Sequence, residues 1–271
     1  MRRLINQRPG RGERLLLGAL PFVLAGIAYL LASQLRLAAN ANDKLLPAPA
    51  TLLASIREYG FTEDTRSGEY LFWVDTWASL RRILYALLIS SGIALSLALV
   101  IGVVPRVRAL LAPLIGAIAM IPPLAVLPIL FIVVGLEEIA KVALIVIGIT
   151  PVITRDLAMR VAELPVEQLI KAQTLGASTW QLLLRVVLPQ LWPRLIDSLR
   201  LGLGSAWLYL IAAEAIASTE GLGYRIFLVR RYLAMDVILP YVVWITLLAV
   251  TTDWLLRQVR ARAFPWAAAA H

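Results

Sequence analysis

The stretch from residue 15 to residue 35 contains 21 consecutive residues without a charged side chain. An α-helix needs about 20 mostly apolar residues to cross the roughly 30 Å of hydrocarbon in a bilayer. The apolar run is too long for a cleavable signal peptide, and no clear small-x-small cleavage site follows it. This stretch therefore predicts a membrane-spanning helix near the start of the chain.

The remainder of the chain is also apolar. Apolar residues make up 60% and charged residues 16% of its 271 positions, and the mean hydropathy is +0.80. Soluble domains contain roughly 45–50% apolar and about 25% charged residues, so this excess is too large for a soluble core. We therefore predict one all-α integral membrane domain. Five further apolar segments bring the predicted number of transmembrane helices to six: 83–105, 109–136, 139–154, 198–219 and 237–256.

Arginine and lysine side chains collect before residue 15, after residue 105, between 155 and 197, and after residue 256. Basic residues collect on the cytoplasmic side of membrane proteins, and six spans place both termini on one side. The predicted organisation is a cytoplasmic N-terminal segment (1–14), a first span (15–35), an outer-face loop (36–78), a core of five helices (79–256) with a long cytoplasmic loop (155–197), and a cytoplasmic C-terminal tail (257–271).

The charge balance and the missing residue types narrow the function. The net charge is +9, but no basic run is interleaved with polar base-reading residues, so we predict membrane-flanking charges and no nucleic-acid partner. The chain has no cysteine, and its one histidine is His271. Disulfides, thiolate metal sites and an internal histidine-based site are therefore excluded. The sequence also lacks a Gly-x-x-x-x-Gly-Lys-Ser/Thr phosphate loop. We expect no catalytic residue, metal or cofactor on this chain.

The long cytoplasmic loop contains signals for two short helices. In the first, Pro165 suits the first helical position, where a missing N–H is tolerated. Val166, Leu169 and Ile170 fall on one face at helical spacing. Gly176 can adopt the left-handed conformation that ends a helix. The pattern predicts a short helix followed by a sharp turn.

The second helix of the loop is predicted to begin at Ser178, because Ser178 and Gln181 have the spacing of a capping box. Pro189 and Pro193 are expected to end it, since proline removes a backbone donor and clashes with the preceding turn. The two helices would expose an apolar stripe to the cytoplasm. Such a stripe fits either a groove on another protein or the lipid surface, and the pattern alone does not choose between them.

The stretch KAQTLGASTWQLLLRVVLP (171–189) resembles the "EAA" loop of binding-protein-dependent ABC transporter permeases. The family pattern is Glu-Ala-Ala, three residues, Gly, nine residues, Ile-x-Leu-Pro. Residues at matching positions are Ala172, Gly176, Val186, Leu188 and Pro189, and TLGAS (174–178) is similar to the family's usual wording. Two positions depart from the pattern, because Ile170 replaces the glutamate and Lys171 replaces the first alanine.

Four more segments are similar to the nitrate/sulfonate/taurine subgroup of this family: SLRRILYALL (79–88), IPPLAVLPILFIVVGL (121–136), the Ala213-Glu214 pair and GLGY (221–224). The resemblance implies the type I importer fold, with six transmembrane helices and a cytoplasmic coupling helix in the loop. It also implies that the chain is the permease subunit of an ATP-driven importer in the bacterial inner membrane.

The same resemblance implies partners and site residues. The partners are separate ATP-binding cassette subunits that hold ATP and Mg, a second permease copy in a homodimer, and an external substrate-binding protein. The implied substrates are small anions such as sulfonates, taurine or nitrate. The residues implied to couple to the ATP-binding subunit are Leu169, Ile170, Ala172, Thr174, Leu175, Gly176, Ala177 and Ser178.

Two features inside the predicted spans are candidates for the transport pathway. Pro122, Pro123 and Pro128 would kink the third span and free backbone carbonyls that are tolerated where they face protein or water. Glu214 places an ionisable group inside the fifth span, where such groups usually face the bundle interior. Each feature also has a purely structural interpretation, which is static packing for the prolines and a hydrogen-bonded acid between helices for Glu214.

Other functions make different predictions. An ATP-independent secondary transporter or channel would need a complete intramembrane ion site and usually has inverted repeats. Six uneven spans with few buried charges argue against that class. A membrane-embedded enzyme is disfavoured by the absence of internal histidine and cysteine. Asp253 lies one helical turn before Arg257, so we predict an ion pair between them rather than a substrate contact.

Overall fold

The computed structural model describes residues 10–40, 43–65 and 67–268, and within these ranges it is helical and contains no strand. Residues 1–9 of the predicted N-terminal segment and 269–271 of the predicted tail therefore lie outside the described residues. The helices are α1 (Arg11–Ala39), α2 (Pro49–Phe61), α3 (Leu71–Val103), α4 (Pro105–Ile118), α5 (Pro123–Val134), α6 (Glu138–Ala162), α7 (Val166–Thr174), α8 (Thr179–Leu182), α9 (Leu188–Ala217), α10 (Leu222–Val229), α11 (Met235–Ala263) and α12 (Pro265–Ala268).

In the described part of the chain, five helices are long and apolar enough to cross a membrane: α1, α3, α6, α11 and the continuous helix Thr179–Ala217. The pair α4 and α5 makes a sixth when it is counted as one broken span. This arrangement confirms the predicted all-α membrane fold with six spans.

The third span differs from the predicted kinked helix. It is broken between α4 and α5, and the two pieces meet at 92°. The break falls just before Pro123, where Pro122 adopts an extended backbone (ψ 115°). Two adjacent prolines remove two backbone donors and push the residue before each of them out of the helical region. Pro128, in contrast, lies inside α5 without ending it.

The helix that contains the second predicted span begins well before the predicted residue 83. Helix α3 starts at Leu71 and runs for 33 residues, so the predicted outer-face loop contains α2 and the first two turns of α3. The apolar run alone starts after Arg82, which explains the predicted boundary. The helix carries Asp75 and Arg82 into the bundle, and both are buried.

The predicted end of the second loop helix at Pro189 is wrong. The chain continues from α8 through a π-helical turn, Leu183–Val187, directly into α9. Pro189 lies in the first turn of α9, and Pro193 lies inside it. A π turn shifts the hydrogen bonds to a five-residue spacing, so the missing N–H of proline is accommodated. The side-chain amide of Gln190 donates to the Val186 carbonyl at 2.8 Å.

The core of the bundle is formed by α3, α6 and α9, and the most extensive packing is that of α6 against α3 and against α9. Small residues allow the close approach of α3 and α6. A Cβ added at Gly102 would lie 2.4 Å from the Cβ of Val161, and Ala86, Ala94 and Ala98 of α3 are fully buried. These contacts set the position of α3 relative to α6, and therefore which polar residues of the two helices lie side by side.

Helix α1 lies outside this core, because no residue in its most apolar stretch is buried. Tyr29 donates to the Pro47 carbonyl at 2.7 Å, and Ser33 donates to the Leu46 carbonyl at 3.0 Å. The Arg36 guanidinium, together with the backbone N–H of Leu45, holds the pKa of the Asp43 carboxyl below its usual range. These contacts attach the C-terminal half of α1 to the segment that follows it.

Candidate functional sites: the loop helices and a buried ionic cluster

The turn between α7 and α8 has a defined geometry. Gly176 has φ +83°, in the left-handed region. Its N–H donates to the Gln173 carbonyl at 2.9 Å, and the Ala177 N–H donates to the Ala172 carbonyl at 3.0 Å. These two bonds form a Schellman motif, which satisfies the last carbonyls of α7. The predicted glycine turn is confirmed.

The start of α8 is held by the predicted capping box. The Gln181 N–H donates to Ser178 Oγ at 3.3 Å, and the Ser178 N–H donates to Gln181 Oε1 at 2.9 Å. The first helix of the loop begins at Val166, with Pro165 as its N-cap, one residue later than predicted. Both ends of the turn are therefore closed by hydrogen bonds, which makes it a rigid connection between α7 and α8.

The residues implied to couple to an ATP-binding subunit divide between two faces of the loop. Leu169 and Ala172 are half-buried against the core, and Ala177 is also half-buried. Ile170 is 52% exposed and Leu175 is 82% exposed. The exposed members of the set are Ile170, Thr174, Leu175, Gly176 and Ser178.

The predicted common face of the first loop helix is therefore divided, because Leu169 turns inward while Val166 and Ile170 remain exposed. Trp180, at the start of α8, adds a further exposed apolar side chain. We call Val166, Ile170, Leu175 and Trp180 the loop apolar surface. The loop is tied to the bundle by the Gln190 amide, which donates to Gln168 Oε1 at 3.2 Å.

A largely buried ionic cluster lies where the start of α6 and the last turns of α9 meet the first half of α3. Its centre is Arg82, which is 1% exposed. The Arg82 guanidinium binds Glu138 in a bidentate manner, with Nε–Oε2 2.6 Å and Nη2–Oε1 2.7 Å. Its Nη1 donates to Glu214 Oε1 at 2.8 Å and to the Glu220 carbonyl at 2.9 Å. One side chain therefore joins three spans and the turn after α9.

The start of α10 receives side chains from the other helices. The Gly221 N–H donates to Asp75 Oδ1 at 2.8 Å, the Leu222 N–H to Ser79 Oγ at 2.9 Å, and the Gly223 N–H to Glu214 Oε2 at 2.9 Å. The free N–H groups at a helix N-terminus attract negative charge. Here two carboxylates of the same chain fill that role.

The GLGY sequence is explained by this close approach. Gly221 has φ +122°, and a Cβ there would lie 2.6 Å from the Glu214 carboxyl carbon. A Cβ at Gly223 would lie 2.6 Å from the Ile211 carbonyl oxygen. Glycine at both positions lets the backbone of α10 reach the carboxylate of Glu214.

The cluster extends to two further ion pairs. Arg225 Nε lies 2.7 Å from Asp75 Oδ2, and Lys141 Nζ lies 2.7 Å from Glu138 Oε1. The Tyr241 hydroxyl donates to Asp75 Oδ2 at 3.2 Å. The acids of the cluster are balanced in number by its bases: Asp75, Glu138, Glu214 and Glu220 against Arg81, Arg82, Lys141 and Arg225.

Glu214 was a pathway candidate in the sequence, and the structure places it in the interior of the cluster with 0% exposure. Besides Arg82 and Gly223, its carboxylate accepts a hydrogen bond from Ser79 Oγ at 2.8 Å. This geometry is that of a packed acid between helices. Of the proline candidates, Pro122 and Pro128 are exposed on the single chain and Pro123 is half-buried.

Most members of the cluster were not identified from sequence. Asp75, Ser79 and Arg82 follow one another at spacings of four and three residues, which places them on one face of α3. This polar stripe was one signal in the sequence that could have revealed the cluster. The other was Glu214, since a buried carboxylate needs a cation beside it.

The predicted Asp253–Arg257 pair is confirmed at 2.8 Å, and Arg200 joins it at 2.8 Å. The described residues contain no group of three or more metal-ligating side chains.

Comparison with known proteins defines the class of this membrane protein. The sequence model of the family "Binding-protein-dependent transport system inner membrane component" matches residues 90–264, and the chain belongs to this family. The resemblance inferred from the loop motif is thereby confirmed.

Individual relatives lie in the expected subgroup. The chain is 34% identical to the taurine transport system permease protein TauC of Escherichia coli over 82% of its own length and 80% of that protein. It is 32% identical to the bicarbonate transport system permease protein CmpB of Synechococcus elongatus over 87% and 88% of the two chains. It is 25% identical to the putative aliphatic sulfonates transport permease protein SsuC of Bacillus subtilis over 82% and 78%.

The fold is also that of a solved structure. A chain of the MetNI methionine ABC transporter, in an inward facing conformation, superposes with a TM-score of 0.59 at 19% identity. The match covers 72% of this chain and 99% of that chain. The predicted type I importer fold is thereby confirmed.

Proposed function

We propose that this chain is the transmembrane subunit of an ATP-driven importer and that its loop helices bind the ATP-binding subunit. The observation that carries the proposal is the loop apolar surface, which protrudes at one end of the bundle on a turn closed by hydrogen bonds. Exposed apolar side chains on a rigid helical element suit insertion into a groove of another protein. ATP and Mg would bind to that partner, which supplies the driving force.

The structure supports a direct mechanical route from this turn into the membrane. Helix α8 continues through the π turn to Ala217, so one helix of 39 residues runs from just after the Gly176 turn to the opposite end of the bundle. A displacement of Gly176 by the partner would therefore move α9 as a unit. At its far end α9 carries Glu214, which is bound to α3 through Ser79 and Arg82. Movement at the loop would thus reach the ionic cluster.

We infer that the transported substrates are small anions. Relatives with 25–34% identity carry names that refer to taurine, bicarbonate and aliphatic sulfonates, which share a compact anionic group. An external binding protein would deliver the substrate, and two copies of the chain would enclose the path. In this proposal the loop helices and both termini lie in the cytoplasm, and the ionic cluster lies near the outer face.

The test is reconstitution in liposomes with an ATP-binding subunit and a binding protein, with measurement of ATP hydrolysis and of radiolabelled taurine, sulfonate and bicarbonate uptake. We expect ATP-dependent uptake of one of these anions. Leu175→Glu should abolish binding of the ATP-binding subunit, because it places a charge on the loop apolar surface. Leu53→Glu on α2 is the matched control, since Leu53 is also exposed but lies far along the chain from the loop.

Two results would overturn the proposal. Anion uptake by the chain alone, without an ATP-binding subunit, would indicate a secondary transporter or channel. Equal assembly of Leu175→Glu and Leu53→Glu with the ATP-binding subunit would show that the loop apolar surface is not the docking site.

A further inference from the structure

A cavity of about 340 Å³ lies at the end of the bundle that carries the loop helices. Three arginines from three different helices line it: Arg160 of α6, Arg194 of α9 and Arg260 of α11. Trp266 of α12 is also part of its wall, as is Pro165 at the start of α7. Nothing in the proposed transport function uses this cavity.

The three guanidinium groups are not equally neutralised. Arg160 lies 3.3 Å from Glu163 and 3.6 Å from Asp156. Arg260 Nε lies 3.2 Å from an oxygen of Asp197, yet this buried nitrogen has no hydrogen-bond partner of acceptable geometry.

Arg194 is half-buried in the wall, and its side chain has no acidic or hydrogen-bond partner among the residues that the structure describes. A guanidinium held in a cavity without an acceptor is costly unless an anion or water satisfies it. The guanidinium of Arg194 therefore provides unused donors that point to an anionic ligand, whereas the buried Nε of Arg260 faces Asp197.

The depth of the cavity indicates where that anion would come from. About six helical turns of α6, or roughly 33 Å, separate Glu138 in the ionic cluster from Arg160. About 20 residues of α9, or roughly 30 Å, separate Arg194 from Glu214. The hydrocarbon core of a bilayer is about 30 Å thick. The cavity and the ionic cluster therefore lie at opposite membrane–water interfaces.

Exposed tryptophans at the same end of the bundle agree with this depth. Trp266 borders the cavity, and Trp192 lies two residues before Arg194. Both side chains are exposed, and tryptophan gathers at the level of the lipid headgroups. A ligand at this level would have its phosphate in the cavity and its acyl chains beside the bundle.

We propose that this cavity binds the phosphate-bearing headgroup of an anionic phospholipid, such as phosphatidylglycerol, from the leaflet on the side of the loop helices. The planar fork of arginine matches the oxygens of a phosphate. Glu163 also lines the cavity and pairs with Arg160, whereas Arg194 has no ion pair within 4 Å among the described residues. Inorganic phosphate offers the same oxygens, but the interfacial depth and the tryptophans favour the lipid. Only the assignment of the leaflet to the cytoplasmic side rests on the proposed function.

The cavity lies beside a contact that anchors the first loop helix. Gln190 lines the cavity and also donates to Gln168 of α7. A bound headgroup would hold α6, α9 and α11 together beside this anchor of the first loop helix.

The experiment uses the purified full chain in detergent, without any partner subunit. Binding of short-chain phosphatidylglycerol and phosphatidylcholine is titrated by native mass spectrometry for the wild type and for variants. We expect the wild type to prefer phosphatidylglycerol, and Arg194→Gln to weaken that binding by about fivefold, the typical effect of one basic residue near an anionic lipid surface. Arg194→Lys, which retains the charge but loses the fork, should be intermediate.

Arg262→Gln is the matched control, because Arg262 lies at the same end of α11, is exposed and does not line the cavity. It should bind phosphatidylglycerol like the wild type. Equal affinity of the wild type for the two lipids, or an equal loss in Arg262→Gln and Arg194→Gln, would overturn the site.

Inorganic phosphate distinguishes the two sources of the anion. If phosphate at micromolar concentration bound as tightly as the lipid and with the same dependence on Arg194, the lipid assignment would be wrong and the ligand would be a soluble phosphate. Since no ATP-binding subunit is present, failure of this experiment would leave the proposed transport function intact. Failure of reconstituted transport would likewise leave the lipid result standing.

Discussion

Replacing Arg82 with leucine should strongly destabilise the bundle. In the wild type the Arg82 side chain makes hydrogen bonds of 2.6–2.9 Å to Glu138, Glu214 and the carbonyl of Glu220. Leucine fills part of the space but supplies no donor. Glu214, which is fully buried, would keep only Ser79 and the Gly223 N–H, and its charge would have no cation next to it.

The expected magnitude follows from that unpaired charge. Removing one partner of a buried ion pair typically costs about 3–5 kcal/mol, because the remaining charge is left desolvated. Glu138 is less affected, since it is 47% exposed and retains Lys141. We therefore expect Arg82→Leu to lower the free energy of unfolding by about 3 kcal/mol or more. The double variant Arg82→Leu/Glu214→Leu should recover about 1–3 kcal/mol relative to the sum of the single changes.

The free energy of unfolding can be measured by denaturant titration of the purified protein in mixed micelles, followed by tryptophan fluorescence. Arg106→Leu is the control, because Arg106 is an exposed arginine outside the cluster, and it should unfold like the wild type. A loss below about 1 kcal/mol for Arg82→Leu, or strict additivity in the double variant, would refute the argument that the cluster holds the helices together.

Three further predictions concern the glycines and the cap. Gly221→Ala should cost about 1–3 kcal/mol in unfolding free energy, because φ +122° is almost restricted to glycine and the new Cβ would meet Glu214. The control in the same titration is Gly116→Ala, which has open space around it and should have no such cost. Gly176→Val should reduce ATP hydrolysis coupled to uptake in liposomes, since valine is strained at φ +83°, and unchanged coupled uptake would contradict the role of this turn. Ser178→Ala should cost about 1 kcal/mol at the start of α8, seen as faster hydrogen exchange of the Gln181 amide; unaltered exchange would mean that the capping bond contributes little.

Several features were predictable from the sequence because they are decided within a few residues. The membrane spans follow from the length of the predominantly apolar runs. The turn at Gly176 and the Ser178–Gln181 capping box depend on the spacing of adjacent residues, and both are present as expected. The Asp253–Arg257 pair follows in the same way from one turn of helix.

Rules based on neighbouring residues predicted less well where a helix continues and where it breaks. The rule that proline ends a helix failed at Pro189, because the π turn before it and the Gln190 side chain rearrange the hydrogen bonds locally. It succeeded at Pro122 and Pro123, where two consecutive donors are missing and the chain bends by 92°. A single proline can be accommodated by its surroundings, and the sequence does not show those surroundings.

The sequence alone determined that this chain spans the membrane and which family it belongs to, because both depend on runs and motifs that are contiguous in the chain. Only the tertiary structure decided what Glu214 does and which residues accompany it. Asp75 and Arg225 are 150 positions apart, and Arg82 and Glu214 are 132 apart. Such pairs form only when α3, α6, α9 and α10 pack together. In the low dielectric of that interior an unpaired charge is costly, so the fold requires each of these groups to have its partner.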